Sequence, residues 1–577
     1  MSKPTAGAEL VVTAEAVLKS AGDRFLARRA SLLLLDLTAY AHFTRVADGF
    51  LLGCVGLTAL DLAPLANVRS VGSCFLNDCL GLKGLDLTPF SQLTSIGNRF
   101  LSRCAGLAAL NLTPLERLTH VGAWFLAECA GVTALELTTL SNITSLDDGF
   151  LAVCVGLTEL DVAPLAKVSR VGRWFLAECV GLKRLDLTPL WQLTSIGDNF
   201  LSRCAGLAAL DLTPLVSLTH VGSCFLAECA GVTALDLTSL ANITSLDDSF
   251  LFGCSGLREL NMTPLARLVR IGSRFLKGCC GLKVLAVTPL SCLTTVGDAF
   301  LSGCDRLVVF NMPPLSRATW MEHEFLSGCQ GLTTLDLTPL AHLTDVGNRF
   351  LFRCSGLTSL DLKLLTRLTR VASSFLWNCN RLPTLDLAPL SQLTSVGDSF
   401  LSCCCRLIAL DLTPLASLTS AGHDFLSGCH SLTALDMTSL AQLNNINDSF
   451  LCGCAGLTAL DLTPLARHAS LGCRFLSGCA GLTVLDLTPL VSLTRVGHSF
   501  LYGCHGLTTL DFAPLTRLTS VGDSFLYRCI GLTTLDLTPL AHLAIEVGRR
   551  FLARCAGLTS VELCIVQRRS LLVGQPG

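Results

Sequence analysis

Phenylalanine recurs at every twenty-fifth position of this chain, from Phe25 to Phe525, and once more at Phe551 after a single inserted residue. These 22 phenylalanines begin 22 copies of one unit, of which residues 475–499 are a representative copy. A period of about 20–50 residues is typical of a solenoid, in which each copy is one coil that packs only against its neighbours. The period therefore predicts one elongated domain and not a globular enzyme core.

Positions within a unit are numbered here by their offset from the phenylalanine, which is offset 0. Apolar residues stand at offsets 0, 1, 7, 10, 12, 15, 18 and 21, with cysteine at offset 4. In the segment 482–488 the second half alternates apolar and polar residues, which predicts a half-buried strand that ends at Pro489. We predict a second extended piece at 493–496, and a short helical or 3₁₀ turn at 498–504 that inserts Phe500 into the core.

The pattern LxxLDL, as in 482–487, resembles the strand signature of leucine-rich repeats. The pattern VGxxFLxxC, as in 496–504, is similar to the BspA-like subclass of that family. The resemblance covers about residues 10–564 and implies an α/β solenoid. Its expected form is a right-handed leucine-rich-repeat superhelix with one long parallel sheet and about 22 coils of about 25 residues.

Three regions are expected along the chain: a disordered N-terminus at 1–9, the solenoid at 10–564 with a degenerate N-terminal cap at 10–24, and a C-terminal tail at 565–577. The least regular stretch is 300–325, and a second irregular patch combines Lys363 and Leu364 with Trp377. Residues 100–151 and 200–251 differ at only nine of 52 positions, which indicates that blocks of four units were copied together.

The composition limits the classes of partner. The net charge is −2, so no bulk field attracts nucleic acid or an anionic membrane. The sequence has no apolar run of about 18 residues, so we expect no membrane span. The N-terminal segment lacks a basic stretch followed by an apolar one, so no signal peptide is evident and a cytoplasmic location is expected.

Of the 30 cysteines, 21 stand at offset 4, from Cys54 to Cys555. The interpretation that we favour is a rank of buried, reduced thiols that act as small apolar side chains. The alternative is redox or metal chemistry at 403–405, 279–280 or 452–454, which lacks a paired CxxC framework.

No catalytic pattern is found: the 11 histidines are scattered, and neither HExxH nor a phosphate-binding glycine loop is present. The sequence therefore predicts no enzyme, no cofactor and no metal. The main hypothesis is a non-enzymatic protein-protein interaction scaffold. The alternative, which the resemblance implies, is a surface or secreted BspA-like adhesin, and a third possibility is an expanded repeat array under weak functional demand.

Offset 11 holds Asp in 16 copies, Asn in three, Glu in two and Ala once. We expect these side chains to form a rank on the outward face of the strands. They would either satisfy the turn before the proline or form an acidic strip that attracts a basic protein partner. If the strip is open, mutual repulsion should raise the pKa of some members. The candidate binding residues in this rank are Asp386, Asp411, Asp436, Asp461 and Asp486.

Specific recognition needs a varied surface, and the side chains at offsets 2, 3, 16, 17, 20, 23 and 24 differ most among the copies. Arg317 and Arg367 stand at offset 17, and Trp320 stands at an outward offset of the irregular stretch. These three residues are further candidates for partner binding, because the varied edge would distinguish one partner from another.

Overall fold

The computed structural model describes residues 22–108, 110–312, 315, 318–543 and 548–562. The predicted disordered N-terminus, nearly all of the predicted cap and the predicted tail lie outside these residues. The described residues form a solenoid of about 19 turns of roughly 25 residues, with parallel sheets. The prediction of about 22 coils also counts the coils that run into residues outside the described ranges. The right-handed sense of the superhelix stays a prediction.

The coils group into two compact units, residues 1–293 and 294–577. In the first unit, two-residue strands at offsets 20 and 21 pair in parallel between neighbouring coils, as Arg45 of one strand pairs with Ser70 of the next. Strands β1–β4, β5–β8 and β9–β10 form such ladders. The strands are β1 Arg45–Val46, β2 Ser70–Val71, β3 Ser95–Ile96, β4 His120–Val121, β5 Ser145–Leu146, β6 Arg170–Val171, β7 Ser195–Ile196, β8 His220–Val221, β9 Ser245–Leu246, β10 Arg270–Ile271 and β11 Val284–Ala286.

The second unit repeats this pattern in the parallel ladders β14–β18 and β19–β21, whereas β22 and β23 pair in parallel at offsets 9–11. The interval between β18 and β19 contains only an isolated bridge from Ile446 to Leu471. The strands are β12 Thr295–Val296, β13 Val309–Asn311, β14 Trp320–Met321, β15 Asp345–Val346, β16 Arg370–Val371, β17 Ser395–Val396, β18 Ser420–Ala421, β19 Ser470–Leu471, β20 Arg495–Val496, β21 Ser520–Val521, β22 Thr534–Asp536 and β23 Ser560–Glu562.

The helical elements of the described residues are short 3₁₀ segments that begin at offset 13, at the Thr-Pro-Leu sequence. Proline is favoured in the first turn of a helix because its missing N–H would be unpaired there in any case. The segments are Thr38–Tyr40, Ala63–Leu65, Thr88–Phe90, Thr113–Leu115, Thr138–Leu140, Ala163–Leu165, Thr188–Leu190, Thr238–Leu240, Thr263–Leu265, Thr338–Leu340, Ala388–Leu390, Thr413–Leu415, Thr438–Gln442, Thr463–Leu465, Thr488–Leu490, Ala513–Leu515 and Thr538–Leu543.

The structure corrects the predicted position of the sheet. The LxxLDL segment is buried and exposed in the predicted alternation, with Leu485 and Leu487 buried and Asp486 exposed. In this segment, however, a backbone hydrogen bond joins the coils at one point, from the N–H of Thr483 to the carbonyl of Thr458 at 3.1 Å. Most of the ladders form instead on the second extended piece, and the LxxLDL segment forms strands only in a few coils, at β11, β13, β22 and β23 of the described residues. The prediction of one long sheet is also wrong, because a strand of two residues has few bonds and one missing bond ends the ladder.

The segment from offset 23 to offset 4, as in 498–504, is called here the Phe turn. It is neither the helix nor the 3₁₀ turn that the sequence predicts, because its backbone is left-handed at every second residue. The φ angles are 60° at Ser499, 51° at Leu501 and 69° at Gly503. Non-glycine residues rarely adopt this conformation, so the surrounding bonds between coils must hold it in place.

Those bonds run in both directions from each Phe turn. The N–H groups of Ser499 and Gly503 donate to carbonyls of the following coil, at 2.7 and 2.8 Å. The N–H of Leu501 donates to the carbonyl of Phe475 in the preceding coil at 3.1 Å. The backbone N–H groups at offsets 24, 1 and 3 therefore bond to backbone partners of both neighbouring coils. At offset 23 a side chain is the acceptor, as the N–H of Asp523 donates to Nδ1 of His498 at 2.8 Å.

Inside each unit the phenylalanine rings stack from coil to coil. Phe475 and Phe500 are fully buried, and their centroids lie 6.0 Å apart at an interplanar angle of 10°. Coils also approach closely at the glycines of offset 6, since a Cβ on Gly481 would lie 2.3 Å from the carbonyl oxygen of Ala455. The prediction that the phenylalanines form the core is confirmed.

Candidate interaction surfaces

The aspartates of offset 11 cap the turn that follows them. Asp486 accepts the backbone N–H of Thr488 on Oδ1 at 2.8 Å, and the Thr488 hydroxyl donates to Oδ2 at 2.7 Å. All five candidate aspartates are exposed and make the backbone bond. The other four accept it from Ala388, Thr413, Thr438 and Thr463: Asp386 at 2.8 Å, Asp411 at 2.9 Å, Asp436 at 2.8 Å and Asp461 at 2.8 Å.

These hydrogen bonds decide the direction of the pKa shifts. The backbone N–H and the hydroxyl of Thr488 lower the pKa of Asp486, and the neighbouring charge of Asp461 opposes them with a smaller effect. The pKa values of Asp411 and Asp461 are lowered in the same way, with the threonine hydroxyl as the largest cause. The prediction that repulsion raises the pKa is therefore wrong for these three aspartates.

Two natural substitutions separate the hydrogen bond from the charge. Asn111 and Asn261 stand at offset 11 and accept the N–H of the residue two positions later, at 2.9 and 3.0 Å. The turn therefore requires an acceptor oxygen but no negative charge. Whether the five aspartates also bind a partner stays a prediction.

The other predicted candidates do not meet at one place. Trp320 lies in β14, is 42% exposed, and contacts the ring of His323 edge-on with centroids 6.3 Å apart. Arg367 is exposed and lies two coils further along the chain. Arg317 lies outside the described residues.

The thiols of offset 4 are buried from Cys54 to Cys529, as predicted, and Cys555 is half-buried. Each donates its S–H to the carbonyl of the left-handed leucine in the preceding coil, as Cys479 does to Leu451 at 3.1 Å. Burial raises the pKa of the Cys354 thiol to about 12, so the reactive thiolate does not form at neutral pH. Within the described ranges no three His, Cys, Asp or Glu side chains are placed to hold a metal ion.

On the Phe turn the backbone repeats while the outward side chains change. Offset 3 carries glycine in Gly478 and Gly503, but arginine in Arg353 and Arg528 and glutamate in Glu178. The φ angle at this offset nevertheless stays between 57° and 76° in these five coils. We call the outward side of these turns the Phe-turn face.

One part of this face combines aromatic and basic side chains. The rings of Phe352 and Trp377, both at offset 2, stack at 4.6 Å and 10°. The guanidinium of Arg353 lies 5.7 Å from the Phe352 ring and 5.5 Å from the Trp377 ring. Arg349 lies 5.5 Å from the Phe352 ring and pairs with Glu324 at 2.8 Å.

Two more exposed arginines stand in the coil of Trp377 and in the next coil. Arg381 follows Trp377 by four residues, and Arg406 occupies the same offset in the next coil. Together, Arg349, Phe352, Arg353, Trp377, Arg381 and Arg406 are called here the Arg–aromatic patch. Sequence reasoning noted Trp377 as irregular but missed the cluster. The available signal was the appearance of large side chains at offsets 2, 3 and 6, where Ser, Ala and Gly are common.

A coiled chain of leucine ranks, short parallel strands and capped turns defines a leucine-rich-repeat solenoid. The family model described as "BspA type Leucine rich repeat region (6 copies)" matches residues 44–183, 176–308, 270–389, 362–483 and 466–567. The chain belongs to this family, as the sequence predicted. Leucine-rich-repeat families of this kind typically have no catalytic role.

Solved structures with similar folds include three bacterial proteins. A leucine-rich repeat protein from Bacteroides ovatus ATCC 8483 is 17% identical, with a TM-score of 0.41, over 61% of this chain and 90% of that chain. The functional domain of InlJ from Listeria monocytogenes, which includes a cysteine ladder, is 20% identical with a TM-score of 0.34 over 70% and 75%. A leucine rich cell surface protein from Faecalibacterium prausnitzii A2-165 is 14% identical with a TM-score of 0.33 over 69% and 85%.

No curated protein matches the chain in the sequence comparison. Among the described residues, no helix has the length and apolar character that crossing a membrane requires.

Proposed function

We propose that this chain is a non-catalytic binding protein that recognises a protein partner through its Phe-turn face. The observation that carries the proposal is the combination of a repeated backbone with changing outward side chains on this face. At offsets 24, 1, 2 and 3 the N–H groups of the Phe turn bond to backbone carbonyls, so the outward side chains at offsets 2, 3 and 24 are available for contacts with a partner.

Two forms of this function differ in location. The BspA-type family favours a surface or secreted adhesin over the intracellular scaffold that was the main hypothesis from the sequence. The buried thiols of offset 4 do not distinguish the two, because burial and raised pKa values, as at Cys354, make them unreactive in either environment. A cytoplasmic location therefore stays a prediction that depends on direct measurement.

The experiment places a photo-crosslinking amino acid at exposed positions on two faces of the full chain. Positions 474 and 528 probe the Phe-turn face. Positions 413 and 488 probe the outward side of the LxxLDL segment and of the turn that follows it, called here the LxxLDL face. After exposure to extracts and intact cells of the source organism, we expect crosslinked partner proteins from 474 or 528 and few from 413 and 488. Crosslinks confined to 413 and 488 would place recognition on the aspartate rank instead.

Location is tested separately, by antibody staining of intact and of permeabilised source cells. Staining of intact cells is expected for an adhesin. Staining only after permeabilisation would favour the intracellular scaffold and leave the binding face to be decided by the crosslinks.

A further inference from the structure

Building on the proposed binding function, we infer that the Arg–aromatic patch binds a short acidic segment of the partner protein. The first reason is unneutralised charge. In the part of the chain that the structure describes, Arg349 pairs with Glu324, whereas no acidic side chain lies within ion-pair distance of Arg353, Arg381 or Arg406. Three exposed positive charges therefore lie on three successive coils.

The second reason is the way in which Arg353 is held. The stacked rings of Phe352 and Trp377 support the guanidinium of Arg353 at 5.7 and 5.5 Å, and cation–π contacts at such distances are attractive. A side chain held in this way loses less conformational entropy when it binds. Its planar donors match the two oxygens of a carboxylate, and Trp and Arg are the residue types that contribute most at protein interfaces.

The third reason is the length of the patch. It covers the coils that begin at Phe350, Phe375 and Phe400, which at about 4.8 Å per coil is on the order of 10–15 Å. An extended peptide advances about 3.3 Å per residue, so about four residues span the patch. The ligand is therefore a short segment, with two or three carboxylates opposite the free arginines.

The surroundings disfavour a long polyanion. At offset 24, the position of Arg349, the preceding coil carries Glu324 and the coil that begins at Phe425 is preceded by Asp424. A nucleic acid or a sulfated polysaccharide lying along the face would meet these carboxylates at either end of the patch. Like charges in contact raise the free energy of such a complex, whereas a segment of about four residues ends before reaching them.

The test measures fluorescence anisotropy of labelled peptides on the full chain. The probes are a peptide with four consecutive glutamates, the same peptide with four glutamines, and a single-stranded DNA oligonucleotide that is longer than the patch. We expect the glutamate peptide to bind, with an affinity that falls as salt rises, and the glutamine peptide not to bind. Equal binding of both peptides, or stronger binding of the oligonucleotide through the patch, would overturn the inference.

Two variants assign the binding to the patch. The triple variant Arg353→Ser, Arg381→Ser, Arg406→Ser is expected to bind the glutamate peptide at least about tenfold more weakly, which corresponds to about 1.4 kcal/mol. The matched control Arg117→Ser, Arg267→Ser, Arg517→Ser removes three exposed arginines of offset 17 and should leave the affinity unchanged. If both variants lose the same affinity for the glutamate peptide, the net charge of the protein explains the binding and a defined site is refuted.

A charge-reversed variant removes the remaining ambiguity about folding. Arg353→Glu, Arg381→Glu, Arg406→Glu should lose the glutamate peptide and gain affinity for a tetralysine peptide, which a misfolded chain would not do selectively. If the patch variants still bind the glutamate peptide as the native chain does, the patch does not recognise an acidic segment and the inference fails. The proposed function nevertheless stands if the crosslinks from positions 474 and 528 persist. If those crosslinks are absent as well, the proposed function fails with it.

Discussion

The LxxLDL face and the Phe-turn face belong to the same coils, yet they use their exposed side chains in opposite ways. On the LxxLDL face, Asp486 accepts a backbone N–H and the hydroxyl of Thr483 donates to the carbonyl of Thr458 at 3.3 Å. On the Phe-turn face, the backbone groups of Ser499 and Gly503 bond to backbone groups of the next coil. Uniform side chains stabilise the first face, and varied side chains decorate the second.

This difference teaches where a repeat protein can acquire specificity. A side chain that satisfies its own backbone cannot change without a cost in stability, so offset 11 keeps Asp or Asn in most copies. Where the backbone is already satisfied, the side chain can change freely. The Phe-turn face is therefore expected to tolerate substitutions that the LxxLDL face does not.

The largest expected effect comes from the inner side of the Phe turn, which is fixed although its outer side varies. Phe475→Ala should lower the free energy of unfolding by about 3–5 kcal/mol, because it leaves a cavity in the ring stack. Hydrogen exchange should become faster in residues 450–525 and stay unchanged around 338–346, since each coil contacts only its neighbours. A uniform loss of protection over the second unit would contradict coil-by-coil packing.

A smaller effect is expected from a glycine that the neighbouring coil encloses. Gly481→Ala should cost about 1–3 kcal/mol in urea unfolding, because the added Cβ would lie 2.3 Å from the Ala455 carbonyl oxygen. The control is Gly503→Asn on the Phe-turn face, where the nearest atom to a Cβ is 3.9 Å away and other coils carry arginine. Similar losses in the two variants would refute the contrast in tolerance.

The interior between the faces contains a buried histidine, His468, at a position that carries Leu443 and Leu493 in the adjacent coils. Its Nε2 has no hydrogen-bond partner, and burial, with a smaller effect of Arg467, lowers its pKa. The unfolded chain then binds the proton more readily, so stability should fall as pH decreases from about 6.5. His468→Leu should raise stability by about 1 kcal/mol at neutral pH and abolish this loss, as thermal unfolding from pH 8 to 5 would show.

If His468→Leu unfolds with the same pH dependence as the native chain, the acid sensitivity lies elsewhere. His468→Gln serves as a control, because it keeps a buried polar group that does not titrate. It should be less stable than the leucine variant and equally insensitive to pH between 8 and 5.

The smallest effects are expected on the aspartate rank. The triple variant Asp411→Asn, Asp461→Asn, Asp486→Asn should match the native chain at pH 7, because Asn111 and Asn261 make the same bond. The corresponding Ala variant should be less stable. Since hydrogen bonds lower the pKa of these aspartates, native stability should fall as pH drops below about 4.

The Asn variant should have a flatter dependence on pH in that acidic range. A large loss of stability in the Asn variant at pH 7 would mean that the charge itself holds the turn. That result would narrow the difference between the two faces, because the rank would then depend on electrostatics as well as on hydrogen bonds.

Much of the fold follows from the sequence, because burial has a period that can be read directly. The ranks of Phe475 and Cys479 and the alternation around Leu485 were all predicted. The position of the sheet was not, because an apolar alternation marks which side chains are buried and not which backbone groups pair. The left-handed φ of Leu501 was hidden as well, since leucine does not favour that conformation and only the contacts between coils impose it.

The surface was harder to predict than the core. The aspartates were found because they repeat, and their dual interpretation was resolved only by the bonds that they make. The Arg–aromatic patch was missed because its members break the repeat. Phe352 and Trp377 stand at the same offset of successive units, which could have predicted the contact, but nothing local to either residue indicates a stacked pair.

The rank of buried thiols makes the local opening of this solenoid measurable. A thiol such as Cys479 is shielded while its coil is closed and becomes reactive when that coil opens. Because one such thiol stands in almost every coil, brief treatment with an alkylating reagent would label the cysteine of each coil that opens. Peptide mass spectrometry would then read the local dynamics of the native protein coil by coil, with no label introduced by mutation.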